Sequence, residues 1–70
     1  MTLYQLIENT TLQGNIRISM WKGDTEVVLA TWMYCDGLYS TDIEEELENL
    51  VISYIYASSD GFLHIEVEER

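Results

Sequence analysis

Basic residues are nearly absent from this chain: Arg17, Lys22 and Arg70 stand against 13 Asp and Glu, for a net charge of −10, and none occurs from Gly23 to Glu69. Direct DNA or RNA binding needs cations that displace the counterions around phosphate, so this chain is not expected to bind nucleic acid itself. An anionic membrane surface would repel it for the same reason. A basic protein surface would attract it over the range that salt screening allows.

Other shortages narrow the field further. The lone Cys35 excludes an internal disulfide and offers no zinc framework. The opening Met1-Thr2-Leu3-Tyr4 lacks the basic and long apolar regions of a secretory signal, and the longest apolar run, near Val27 to Cys35, is too short to span a bilayer. The cytoplasm is the expected location, which leaves the sequon Asn9-Thr10-Thr11 without weight. There is no proline, and the four glycines fall at expected turns.

What is present is enough to fold. At 47% hydrophobic residues the chain is too apolar to stay disordered despite its charge. Residues 1–70 read as a single domain, and one of this size buries only about 60% of the surface its unfolded chain exposes.

Thr2 to Asn9 reads as a short helix with a capping box from Thr2 and Gln5 and an apolar face of Leu3, Leu6 and Ile7. Asn15 to Trp21 alternates, with Ile16, Ile18 and Met20 on one side and Arg17, Ser19 and Trp21 on the other. Lys22-Gly23-Asp24 then connects it to a long strand, Thr25 to Cys35. That strand places Val27, Leu29, Thr31, Met33 and Cys35 on one side and Glu26, Val28, Ala30, Trp32 and Tyr34 on the other. Apolar bulk on both sides suits a central, a bulged or a covered strand.

After Asp36-Gly37, the stretch Thr41 to Leu50 carries five acids and no base. Ile43, Leu47 and Leu50 recur at helical spacing, and Thr41 with Glu44 fits a second capping box. Val51 to Ala57, the turn Ser58 to Gly61, and Phe62 to Glu68 form a second hairpin, with Leu63, Ile65 and Val67 inward and Phe62, His64, Glu66 and Glu68 outward. The expected fold is therefore α+β: a four-stranded, mainly antiparallel sheet from two hairpins, in the element order αββαββ. The N-terminal helix and the helix between the hairpins pack on one face.

Two candidate surfaces follow. Asp42, Glu44, Glu45, Glu46 and Glu48 would crowd one helix, with like charges three and four residues apart at about 0.2–0.5 kcal/mol per pair. A stretch selected for stability alone would mix in lysine. It reads either as a site for a basic protein partner or as a solvated face serving solubility. Trp21, with Trp32, Tyr34, Tyr54 and Tyr56, reads either as an interface anchor or as part of a small core, core being favoured for Trp32.

Enzyme chemistry has little footing. His64 with Glu66 supplies too few ligands for a metal, and a rim histidine is the expected reading. Cys35 has no cationic neighbour to activate a thiolate and reads as a small buried residue. No glycine loop for phosphate and no nucleophile elbow occurs. The expectation is a non-enzyme without cofactor or metal.

The helix Leu3 to Glu8, the strand Asn15-Ile16-Arg17-Ile18 and the closing Asp60-Gly61-Phe62-Leu63-His64-Ile65-Glu66-Val67 together give a layout that resembles the short acidic accessory proteins of phages, prophages and integrative elements. Anti-CRISPR and anti-restriction inhibitors are similar in size and acidity, and some of those imitate DNA. The resemblance implies a binding protein, in its sharpest form a nucleic-acid-mimicking inhibitor. No motif here matches one of theirs, so no functional residue carries over. The other expectation is a small structural or assembly protein, a homodimer through the sheet face of Trp21, Tyr54 and Tyr56, with acidity serving only solubility.

Overall fold

The structure, a computed structural model, describes residues 1–69; Arg70 lies outside them. In chain order the elements are helix α1 (Leu3–Asn9), strands β1 (Gly14–Lys22) and β2 (Thr25–Cys35), a 3₁₀ turn (Ser40–Asp42), a single helical turn α2 (Glu45–Glu48), and strands β3 (Val51–Ala57) and β4 (Leu63–Glu68). The class is α+β. One sheet in the order β2-β1-β4-β3 holds all four strands.

Each hairpin forms where its turn chemistry allows. Lys22 pairs with Thr25 across the two-residue connection Gly23-Asp24, and Gly23 takes the positive φ of 65° that such a connection requires. In the second hairpin Ser58 N–H donates to the Phe62 carbonyl at 3.0 Å. An isolated hairpin is marginal in water, so the two must join. They join by their inner strands, β1 and β4, in parallel, pairing Ile16 with Leu63, Ile18 with Ile65 and Met20 with Val67. Two antiparallel pairings thus flank one parallel pairing, and the sheet is mixed.

The period-two alternation of both inner strands puts those pairs on one face. There Ile16, Ile18 and Ile65 are fully buried, under Leu3 and Ile7 of α1 and under Leu38 and Ile43 of the connecting segment. Helix α1 has the expected start: Gln5 N–H donates to the Thr2 hydroxyl, and Thr2 N–H donates to the Gln5 side chain at 2.9 Å. Backbone bonds from Leu3 N–H to the Leu50 carbonyl and from Ile52 N–H to the Met1 carbonyl tie the N-terminus to the start of β3.

Two expectations need correcting. Of the readings open for β2 the bulged one holds and the central one does not, since β2 is an edge strand, and its faces are not those of a simple alternation. Ile18 pairs with Ala30 while Ser19 pairs with Val28, so Leu29 is an extra residue and the faces change over there. Val27, Ala30 and Trp32 consequently oppose the core residues Met20, Ile18 and Ile16. Trp32 and Cys35 pack half-buried against the core, whereas Met33 is exposed. A second irregularity between Gly14 and Ile16 ends at Tyr34, whose φ is 55° and whose N–H donates to the Asn15 side chain at 2.9 Å.

The second correction concerns Thr41 to Leu50, which is not one helix. Ile43 and Glu44 are extended between the 3₁₀ turn and α2, and Asp42, not Thr41, supplies the cap by accepting from Tyr39 N–H at 2.9 Å. The backbone bonds Ile43 to Ser40, Leu47 to Glu44 and Leu50 to Leu47 all span three residues. Nucleating a short helix is costly, and here like charges oppose it. The break removes the helical i,i+4 contacts of Asp42 with Glu46 and of Glu44 with Glu48. The apolar stripe survives, with Ile43 buried and Leu47 and Leu50 half-buried against the core.

Candidate binding face

The sheet face opposite the helices carries Arg17, Ser19 and Trp21 of β1, His64 and Glu66 of β4, and Tyr54 and Tyr56 of β3. The pairings Arg17 with His64 and Ser19 with Glu66, and Tyr54 with Glu66 and Tyr56 with His64, set these rows side by side. From β2, Glu26 opposes Trp21, Val28 opposes Ser19 and Thr31 opposes Arg17. Among the described residues no helix covers this face.

Glu66 is its centre. The Trp21 indole N–H donates to Glu66 Oε1 at 3.0 Å and the Tyr56 hydroxyl donates to Oε2 at 2.7 Å. Losing that bond, together with burial and the Glu66 charge, pushes the Tyr56 phenol up to about 12. Ser53 Oγ fixes the same strand by donating to the Glu66 backbone carbonyl at 3.0 Å. Ser19, fully buried, donates to Glu26 Oε2 at 3.1 Å. Trp21 is 52% exposed and Tyr54 66%.

A second cluster closes one end of the face at the β3–β4 turn. Asp60 accepts from Phe62 N–H at 2.9 Å and from His64 Nε2 at 3.0 Å, and it pairs with Arg17 at 3.5 Å. The Phe62 and His64 bonds, in that order, lower the Asp60 carboxyl below its usual range, against an opposing contribution from burial. Arg17 also lies 4.4 Å from the centre of the Phe62 ring, and Tyr56 stacks on His64 with ring centres 5.1 Å apart. Arg17, the only Lys or Arg on the face among the described residues, is thus committed to Asp60.

His64 is buried and not the rim histidine that its outward register suggests. An ionised carboxylate can only accept, so Nε2 carries the proton, which leaves Nδ1 buried with no hydrogen-bond partner among the described residues. Among the described residues no group of three or more His, Cys, Asp or Glu side chains is placed to hold a metal ion. No helix of the described residues is long and apolar enough to cross a membrane.

The residues singled out in the sequence end up on opposite sides. Trp21 is on the open face. Asp42, Glu44, Glu45, Glu46 and Glu48 belong to the segment packed on the helical side, where all but the half-buried Glu48 are exposed. There the Glu46 carboxyl is raised, first by a side-chain hydrogen bond with Glu44 and then by its charge. The central role of Glu66 was not evident, because its Trp21 partner lies 45 residues away and meets it only through the parallel β1/β4 pairing. The alternation of β4 did mark Glu66 as outward. No known protein family, curated relative or solved structure matches this chain.

Proposed function

We propose that the protein is a non-catalytic binding protein that receives a basic protein surface on the helix-free face of its sheet. The observation that supports this reading is Glu66: its carboxylate holds two neutral donors and, among the described residues, pairs with no cation. A carboxylate held by neutral donors keeps its full charge, and the exposed Trp21 and Tyr54 rings beside it suit a Lys or Arg side chain through their π faces. The acids 42–48 on the other side add to the long-range field that speeds encounter. In its narrower form the partner's basic surface is one that otherwise holds nucleic acid, and the protein competes with the phosphate backbone for it.

Calorimetric titration with a Lys/Arg-rich peptide tests the face against the segment. Trp21→Ala and Glu66→Gln should each weaken binding by about tenfold. The double reversal Glu45→Lys with Glu48→Lys should weaken it at low salt only. Affinity indifferent to Trp21 and Glu66 would remove the proposed face.

A further inference from the structure

The two edges of the sheet are finished differently. Edge strand β2 is irregular at Leu29 and again near Tyr34, which is how natural edges discourage pairing with another chain. Edge strand β3 has its irregularity only at its start, between Ile52 and Tyr54, next to the place where Met1 accepts from Ile52 N–H. From Tyr54 to Ala57 its register against β4 is unbroken. The five residues Ser53 to Ala57 are all exposed, and none of their outward backbone groups has a partner among the described residues. They lie within Asn49 to Ser59, the longest stretch without an Asp, Glu, Lys or Arg.

The direction of those free groups follows from the hairpin closure. Ser58 N–H points to β4, since it donates to the Phe62 carbonyl. Stepping back by two turns Tyr56 and Tyr54 toward β4 as well, and it turns the N–H and C=O of Ile55 and Ala57 to the outside. Ser53-Tyr54-Ile55-Tyr56-Ala57 is a palindrome in size and chemistry: small, Tyr, Ile, Tyr, small. A two-fold axis through Ile55 sets like against like.

We propose that β3 pairs antiparallel with β3 of a second copy about that axis, extending the sheet to eight strands. Ile55 exchanges both backbone bonds with Ile55 of the second copy. Tyr54 stands beside the other copy's Tyr56 on the open face, and Ile55 beside its equivalent on the helical face. Isologous contacts require a self-complementary patch, and this strand is one. Because the edge carries no charge, two copies that each bear −10 meet where repulsion is least. The Met1 cover at Ile52 and the turn at Ser58 bound the contact to these five residues. So short a pairing buries less than a standard interface, which makes the dimer weak and reversible. Trp21 and Glu66 stay free on both copies, so this association meets the uptake of a basic partner only at Tyr54.

Sedimentation equilibrium over a concentration and salt series tests it. The protein should pass from monomer to dimer with concentration and associate more tightly as salt rises, because screening relieves like charge. A basic partner shows the opposite salt response. Ile55→Pro removes an outward N–H without touching the β4 ladder and should weaken the dimer by about tenfold or more, with the circular dichroism of the monomer unchanged. Amide exchange of the natural sequence checks the same bond independently of any variant: the Ile55 and Ala57 amides should be protected at high concentration and lose protection on dilution. A monomer at every concentration, unprotected amides in the dimer, or a dimer that survives Ile55→Pro and is lost in Trp21→Ala would overturn the proposal.

Discussion

The two sides of the sheet treat their carboxylates in different ways. On the helix-free side the central carboxylates have donors: Glu26 has Ser19, Glu66 has Trp21 and Tyr56, and Asp60 has the Phe62 amide, His64 and Arg17. On the helical side Asp42 caps a turn, but Glu46 has another acid, Glu44, as its neighbour. The difference follows from the backbone beneath them. Strands at fixed spacing present donors in register, whereas the segment 40–48 must descend from β2, bury Ile43 and reach β3. Its acids take whatever direction that path leaves. The open side is therefore an organised surface, and the helical side is an apolar layer with charge distributed around it.

The sharpest way to break this comparison is to remove the layer on which both sides depend. Ile18, fully buried, holds β1 against α1 from the centre of the sheet. Ile18→Ala should cost about 2–5 kcal/mol, comparable with the whole stability available to about 70 residues. Denaturant titration should show the variant largely unfolded in buffer, and a midpoint close to that of the natural sequence would contradict the assigned core.

Asp60 tests whether the open side is organised by its donors. Its carboxyl is lowered in the folded state, so it adds stability above its unfolded value near 3.8, and that contribution is lost as pH falls through the folded value. Asp60→Asn should lower the thermal midpoint at neutral pH, and the gap should close under acid conditions. The same logic with the opposite proton balance applies to Tyr56. Its phenol, raised to about 12, contributes stability that is complete below about pH 10 and declines between there and pH 12. Tyr56→Phe should flatten that alkaline decline.

Local chemistry made much of this fold readable in advance. The Thr2–Gln5 capping box, the alternation of Ile16, Ile18 and Met20, and the turn glycines Gly23 and Gly61 each act within a few residues, and each appears where the pattern put it. What the pattern did not carry was pairing between distant segments. The parallel contact of β1 with β4 decides that Trp21 meets Glu66, and nothing in either strand announces the other. A single extra residue, Leu29, reversed the faces of half of β2, since a slip of one exchanges every side chain. In Thr41 to Leu50 a helical period was present without one continuous helix, because Ile43, Leu47 and Leu50 can reach the core from separate short turns.

The smallest effect is the most direct test of the helical side. Glu46 is raised because a proton is shared with Glu44 and because two negative charges there repel. A carboxyl raised in the folded state contributes stability below its unfolded value, and that contribution disappears as pH rises through the folded one. At neutral pH the pair is consequently strained. Glu46→Gln removes one charge, keeps a hydrogen-bond donor for Glu44, and should raise the thermal midpoint slightly at neutral pH. In acid, where the natural carboxyl is already protonated, the two proteins should melt alike. Asp60→Asn predicts a fall at neutral pH that closes in acid, so the two variants approach the natural sequence from opposite directions on the same pH axis. If Glu46→Gln instead lowered the midpoint at neutral pH, its carboxylate would have a favourable partner in the fold, and the contrast between an organised face and an unrelieved segment would fail at that residue.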